Sequence, residues 1–277
     1  MKVLVTGSEG FLGKWICKTS GGHTVIPFDS SIGDDVRSYG SVEQKMEGVD
    51  AVIHAAAISD LNESAANPGL NYAVNIAGTE VVASVAKKLN VPVLFISTCC
   101  VYGNAQPASC FGSIPVPTEL YAWSKLAGEA VVMGYNPQNM IARIPTMYGP
   151  GMRPALFVYR VIDAIENGRP VEVHGDGRQT RQLGYVEDVA ASLWGQLTRS
   201  KRIEDHAPEE ATSVLDICAI ASGLMDKPVK IQFVPDRQGQ IIRQNIHPGI
   251  MGVHRSFREG LASTISWYRN RNGGINP

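Results

Sequence analysis

The feature that most constrains this chain is a succession of short, nearly continuous apolar runs, each followed by a longer segment with helical spacing. Val3–Thr6, Thr24–Phe28, Ala51–Ala55, Val93–Ser97 and Met140–Ile144 read as strands covered on both faces. Phe11–Ser20, Tyr39–Met46, Tyr72–Leu89 and Tyr121–Gly134 read as the helices between them. In Tyr72–Leu89, residues Val74, Gly78, Val81, Val82, Val85 and Leu89 keep helical spacing until Asn90 and Pro92 end it. Repeated β-α units need right-handed crossovers and a parallel sheet, so the expected fold is α/β and doubly wound. After Ile144 the pattern changes: Gly149-Pro150-Gly151 and Pro154 break the chain. Helices are expected at Ala155–Asn167, Val186–Thr198, Val214–Met225 and Phe257–Arg269, with strands at Pro170–His174 and Val229–Val234. These fewer strands suggest a smaller, mixed lobe closing over the carboxyl edge of the sheet.

Composition narrows the function. Lys+Arg number 25 against 26 Asp+Glu, a net charge of −1, which argues against a nucleic-acid scaffold or a basic membrane-surface protein. With 44% hydrophobic and 18% charged residues, the 277-residue chain can bury a core. No apolar stretch approaches the ~18–20 residues of a membrane span, and the start reads as a strand rather than a leader. The five cysteines (Cys17, Cys99, Cys100, Cys110, Cys218) form no CxxC pair and the histidines are dispersed, so neither a disulfide framework nor a metal site is expected. A cytoplasmic, reducing location is the default expectation.

Thr6-Gly7-Ser8-Glu9-Gly10-Phe11-Leu12-Gly13 follows the first strand and opens the first helix. Gly7 permits the tight turn, Gly10 removes a Cβ where backbone meets a pyrophosphate, and Gly13 lets helix pack on strand. The spacing is G-x-x-G-x-x-G, which a plain strand-turn-helix corner also carries. Asp29 ends the second strand, sixteen residues past Gly13, where a carboxylate accepts from adenosine ribose hydroxyls and repels a 2′-phosphate. No Arg follows until Arg37, so NAD is expected over NADP. Asp35-Val36 reads as lying over the adenine, or equally as a solvated loop. Ala55-Ala56-Ala57 reads as backbone access beside the cofactor, or as a packed crossover.

Tyr121-Ala122-Trp123-Ser124-Lys125 places a phenol and an ammonium one helical turn apart. A phenol of pKa ~10 needs ~4 kcal/mol of preferential phenolate stabilisation to act near neutrality. Lys125 is expected to supply that charge, with an oxidised nicotinamide adding another. Ser97-Thr98 ends the fourth strand on the same edge.

With these residues in view, the chain resembles the extended short-chain dehydrogenase/reductase superfamily, in its NAD-dependent nucleotide-sugar epimerase/dehydratase branch. The matching motifs are TGSEGFLG (6–13), HAAA (54–57), NIAGT (75–79), ISTCCVYG (96–103), YAWSK (121–125), Arg143 with Tyr148-Gly149-Pro150, and HGDGRQTRQLGYVEDVA (174–190). The resemblance implies a Rossmann-type sheet with a nucleotide-sugar lobe. Residues 1–144 with 182–200 are expected to bind NAD, and 145–181 with 201–277 the substrate. It implies that Tyr121 is the catalytic base, that Lys125 holds the nicotinamide ribose, and that Thr98 bonds the reacting hydroxyl. The implied cofactor set is Gly7, Gly10, Phe11, Leu12, Gly13, Asp29, Ser30, Asp35, Val36, Ala55, Ala56, Ala57, Asn75, Tyr121, Lys125 and Pro145. Thr98, Cys100, Thr146, Arg181 and Arg243 are implied for the substrate, the two arginines neutralising its diphosphate. Residue by residue, Arg181 alone reads equally as a surface charge.

The implied reaction is epimerisation of a nucleotide-diphosphate sugar at C4 through a transient 4-keto sugar. Cys99 and Cys100 stand where related dehydratases carry Asp and Glu, which argues against 4,6-dehydration. Cys100 matches the position of a cysteine acid/base in 3,5-epimerases and epimerase-reductases, and reads otherwise as a small buried residue. Thr146 stands where many members carry a sugar-contacting Asn. Net reduction of a keto-sugar nucleotide is the second enzymatic reading, and a non-catalytic dinucleotide-binding protein the third. A homodimer is implied, with Tyr72–Leu89 and Tyr121–Gly134 pairing across a two-fold; the same helices also read as packing within one subunit.

Overall fold

Six parallel strands form the central sheet of the computed structural model, which describes residues 1–104, 114–199, 202–236 and 255–272. The first half of the chain runs β1 (Lys2–Thr6), α1 (Phe11–Lys18), β2 (Thr24–Phe28), α2 (Tyr39–Met46), β3 (Ala51–His54), α3 (Leu61–Ala66), α4 (Pro68–Tyr72), α5 (Thr79–Leu89), β4 (Val93–Thr98), α6 (Leu120–Tyr135) and β5 (Met140–Ile144). The second half runs β6 (Thr146–Tyr148), α7 (Phe157–Glu166), β7 (Pro170–His174), β8 (Thr180–Arg181), β9 (Leu183–Tyr185), α8 (Val186–Arg199), β10 (Ile203–Asp205), β11 (Thr212–Ser213), α9 (Val214–Met225), β12 (Lys230–Val234) and α10 (Phe257–Asn272). The sheet order is β10-β5-β4-β3-β1-β2.

Period-two alternation decides which layer each strand residue serves. Val3 and Val5 meet Leu12, Ile16, Val189 and Leu193 of α1 and α8. Leu4, between them, meets Val42, Met46, Val82 and Val85 of α2 and α5 on the other face. The doubly wound α/β class follows from burying both faces at once. From β1 the chain pairs to β2 on one side and to β3 on the other, so order reverses between β1 and β3. That reversal opens a crevice at the carboxyl ends of Thr6 and His54.

Two expectations are corrected. The helix read over Tyr72–Leu89 is instead the end of α4, a π-helical turn over Ala73–Gly78, and α5. Within the widened turn, the Asn75 amide donates to Ile58 O (3.0 Å) and Ser124 Oγ (3.0 Å) and accepts from Ile58 N–H (2.8 Å). Apolar periodicity is blind to such a turn, because one extra residue barely changes which face is apolar. The second correction concerns residues 203–205, assigned from sequence to the second lobe. They form β10, the sixth sheet strand, paired in parallel with β5 at Ile203↔Ile141 and Asp205↔Arg143. Its acidic IED sequence hides a strand whose Glu204 and Asp205 are nonetheless buried.

The other elements of the second half pack a separate core in which Tyr148, Val161, Ile162, Ile217, Leu261 and Tyr268 are buried. Its pairings are short: β6 with β9, β7 with β12, and β8 with β11. β6 leaves β5 after one residue, Pro145, and so brings this lobe directly over the crevice.

Gly128 marks a close contact of α6 with the sheet, since a Cβ there would stand 2.5 Å from Phe95 Cζ. Alanine in a helix ordinarily gains on glycine by up to about 1 kcal/mol, but overpacking costs about 1–3 kcal/mol. Gly128→Ala is expected to lose stability by about 1–2 kcal/mol net in urea denaturation.

Candidate active site

A cavity of about 730 Å³ runs along the carboxyl edge of the sheet. One end is walled by Gly7, Gly10, Phe11, Leu12 and Gly13 with Asp29 and Ser30. Backbone is packed here as closely as it can be. Gly7 takes φ +72°, and a Cβ on it would lie 2.7 Å from Ala56 N; one on Gly13 would lie 1.9 Å from Gly7 O. Side chains are excluded, and the start of α1 stands open to an anionic group. The cradle therefore fits a dinucleotide pyrophosphate. Asp29 is set by three donors: Ser31 N–H and Oγ at 2.9 Å each, and Glu9 N–H at 3.1 Å.

Asp35, Val36 and Arg37 line the same end. Arg37 donates to both Asp35 oxygens (Nε at 2.9 and 3.0 Å, Nη2 at 2.6 Å), and that pairing holds the Asp35 carboxyl below its ordinary range. The arginine is thus already engaged by a carboxylate rather than presented to a 2′-phosphate. Ala55, Ala56 and Ala57 form the adjoining wall.

His54 holds that wall in place. Thr79 Oγ donates to Asn75 O (2.8 Å), so it accepts from His54 Nε2–H (3.0 Å), and His54 Nδ1 accepts from Thr6 Oγ (2.6 Å). Thr6 Oγ in turn accepts from Ala56 N–H (3.2 Å). Every member has one role in this chain, and the imidazole must be neutral to fill its own. Burial, aided by the Lys125 charge, pulls His54 down to about 3.

At the other end of the cavity stand Thr98, Cys100, Tyr121, Lys125, Pro145 and Thr146. Thr98 ends β4 and Tyr121 lies in the first turn of α6; both line this end of the cavity, and Thr98 Oγ accepts from Cys100 N–H (3.2 Å). Burial drives the Tyr121 phenol well above its ordinary value and Cys100 adds to the rise, while Arg153 and the Thr98 side chain draw it back. The sequence led us to expect a phenol acidified by Lys125. Instead, the Lys125 ammonium lies 4.1 Å from the centroid of Phe95, 2% exposed, and burial pulls it down to about 7 against the opposing charge of Glu129.

Cys100 is pushed up by burial, with Glu119 adding to the rise and Thr98 and Arg181 opposing it, so it stands as a thiol. Asn75 is buried behind the cavity, joining the Ile58 loop to Ser124 rather than lining the wall. Arg181, on β8, donates to Thr180 O (2.8 Å) and is not among the residues of the cavity wall. Arg243 lies outside the described residues.

Sequence reading missed Arg153, which lines the cavity, pairs with Asp60 (3.2 Å) and is the cation whose field reaches Tyr121. Its only signal was an arginine in a Gly/Pro-rich turn following a strand at this edge. Glu119, two residues before the tyrosine, was also missed; its charge bears on Cys100 and Arg181. Among the described residues, no group of His, Cys, Asp and Glu is arranged to hold a metal, and no helix is long and apolar enough to cross a membrane.

The model of the NAD dependent epimerase/dehydratase family matches residues 3–207. A probable UDP-glucuronate 4-epimerase of Rhizobium meliloti is 25% identical over 97% of both chains. A dTDP-glucose 4,6-dehydratase of an Actinoplanes species is 28% identical, covering 97% of this chain and 98% of its own. Among solved structures, MoeE5 in complex with UDP-glucose and NAD superposes with a TM-score of 0.89 at 26% identity, covering 98% of this chain and all of that one.

A histidine neutral in the fold and basic when unfolded makes the fold acid-sensitive, because the unfolded chain binds the extra proton. Stability is expected to fall as pH drops from the ordinary histidine value of 6.5 towards about 3. Thermal melts between pH 7 and 4 should show a shallower decline for His54→Gln; an unchanged slope would remove His54 as the cause.

Proposed function

The chain belongs to the NAD dependent epimerase/dehydratase family, and from that premise we propose that it is a nucleotide-sugar epimerase acting at C4, with Tyr121 as the base. NAD, when bound, supplies a reversible two-electron acceptor for the carbon that bears the reacting hydroxyl. The glycine cradle, Asp29 and the Ala55–Ala57 wall hold it. Lys125 reaches its nicotinamide ribose, with Pro145 and Asn75 shaping that end. Thr98 orients the sugar hydroxyl, Tyr121 removes its proton as C4 becomes a ketone, and the same pair returns the proton after the sugar turns over. Thr146 and Cys100 contact the sugar, and the diphosphate is assigned by the family resemblance to Arg181 and Arg243.

The observation that carries this reading is that Thr98, Tyr121 and Lys125 line the same cavity as a glycine cradle whose packing leaves no room for a Cβ at Gly7 or Gly13. The relatives argue for a UDP- or dTDP-linked substrate. Cys99 and Cys100 in place of the Asp and Glu of related dehydratases argue against water elimination, and the Cys100 thiol is a poor base for the epimerase-reductase reading.

Incubation with UDP-glucose, UDP-glucuronic acid and dTDP-glucose, followed by chromatography of the products, should reveal a C4 epimer with no net NADH formation. The charged sugar belongs in the panel because Arg153 is a cation in the cavity wall. Tyr121→Phe is expected to keep NAD and lose about 10²–10⁴-fold in turnover. Epimerisation at an undiminished rate by that variant would overturn the base assignment.

A homodimer built on the outer face of α6 is part of the same proposal. Trp123, Ala127, Ala130 and Gly134 fall on one side of the helix, with Trp123 54% exposed, and Tyr72 at the end of α4 is 60% exposed. Light scattering should give twice the 29.9 kDa chain mass, and Ala130→Glu should return a folded monomer.

A further inference from the structure

Below the rim of the sheet, three adjacent strands place polar residues at one level. Register pairs Ser97 of β4 with Arg143 of β5, and Arg143 with Asp205 of β10. Glu129 of α6 descends onto this row, one helical turn beyond Lys125. Its carboxylate accepts from Ser97 Oγ (2.5 Å), Arg143 Nε (2.9 Å) and Arg143 Nη2 (2.7 Å). The remaining side of Arg143 donates to Tyr102 Oη (2.7 Å), and the Tyr102 hydroxyl donates to Asp205, 2.9 Å from both oxygens. Glu129 is 5% and Asp205 8% exposed.

With Lys125, the row holds two cations and two carboxylates in a place that water barely reaches. Charge buried at such cost in the proposed reaction centre calls for a role beyond packing. Stability alone would be served as well by apolar residues of the same volume. We propose that Glu129 is a positioning residue for Lys125, keeping it an ammonium, and that Asp205 on the last sheet strand supports Glu129 through Tyr102 and Arg143. The proposal rests on the assignment of Tyr121 and Lys125 to the reaction.

The physical logic is charge sharing. Lys125 is faced by neutral His54 from β3, by the Phe95 ring from β4, and by Glu129 one turn along its own helix; Glu129 is the anion that supports it. Arg143 of β5 competes for that anion. Asp205 takes up part of the Arg143 charge through the tyrosine, and so leaves more of the Glu129 field to the lysine. Cys99, which donates to Arg143 O (3.3 Å), lies in the field of Asp205, Arg143 and Glu129, and burial keeps it a neutral thiol.

An ammonium that must stay protonated sets the alkaline limb of the pH–rate profile, and activity falls as pH rises through its pKa. Glu129→Gln keeps the shape and removes the charge, so the limb measured on the NAD-loaded enzyme should move to lower pH by about one unit or more. Asp205→Asn should move it the same way by less, and Tyr102→Phe should reproduce the Asp205→Asn shift with the carboxylate still present. The Glu129→Gln/Asp205→Asn double variant should move no further than Glu129→Gln alone. A rate that drops equally at every pH in Glu129→Gln would mean a merely structural role and overturn the proposal. Additive shifts in the double variant would overturn the part assigned to Asp205. Should Glu129→Gln fail to fold, unmoved limbs in both Asp205→Asn and Tyr102→Phe overturn the proposed relay. Activity surviving in Tyr121→Phe would instead bring down the site assignment beneath it.

Discussion

A lysine ammonium held at 2% exposure is the constraint around which the reactive half of this molecule is arranged. Burying a lone charge costs several kcal/mol even after relaxation, so its surroundings have to answer for it. They do so on three sides. The Phe95 ring offers its negative face at 4.1 Å, Glu129 offers a carboxylate one turn along α6, and His54 is kept neutral so that no second cation competes. Even so, the lysine sits at about 7 rather than at its usual 10.5. A group poised there is sensitive to any charge brought close, and that is the property a proton-handling site needs.

The same economy governs the cofactor end, with backbone in place of charge. Gly7 and Gly13 exist as glycines because their neighbours occupy the space of a Cβ, and the Thr6–His54–Thr79 chain fixes the strand that presses against Gly7. His54 thereby joins the two ends of the cavity. Its neutrality completes the hydrogen-bond chain under the Ala55–Ala57 wall, and it also relieves Lys125. One buried imidazole satisfies a backbone requirement and an electrostatic one together.

Most of the doubly wound sheet was legible because burial on both faces leaves a continuous apolar run, and five of its six strands carry one. The sixth was not: Ile203–Asp205 reads as polar chain, and its buried carboxylates are answered from elsewhere in the fold, Asp205 by Tyr102 and Glu204 by Arg199. The π turn at Ala73–Gly78 was invisible for a different reason, since its cause is the tertiary bonding of Asn75 to Ile58 and Ser124. At the site, glycine spacing, Asp29, Thr98, Tyr121 and Lys125 could be read because their chemistry depends on local spacing. Arg153 and Glu119 could not, because each acts on a residue that only folding brings near; Glu129 stands one turn beyond Lys125, but its partners Ser97 and Arg143 lie on strands that only folding brings to it.

That difference bears on how a tyrosine can serve as base here. Local spacing suggests that the ammonium at i+4 acidifies the phenol, yet the folded chain turns the ammonium over Phe95 and leaves the phenol raised by burial. Two influences within the protein favour the phenolate, the field of Arg153 and the Thr98 side chain, and they do not outweigh desolvation. On the proposed reading, the remaining positive charge has to come from the oxidised cofactor, and the lysine that contacts it. A base assembled in that way is weak while the site holds no oxidised dinucleotide and strong when it does. Proton removal is then tied to the presence of the electron acceptor, and a substrate hydroxyl is not ionised to no purpose. The desolvation that first looks like a defect in the tyrosine is what makes its basicity conditional.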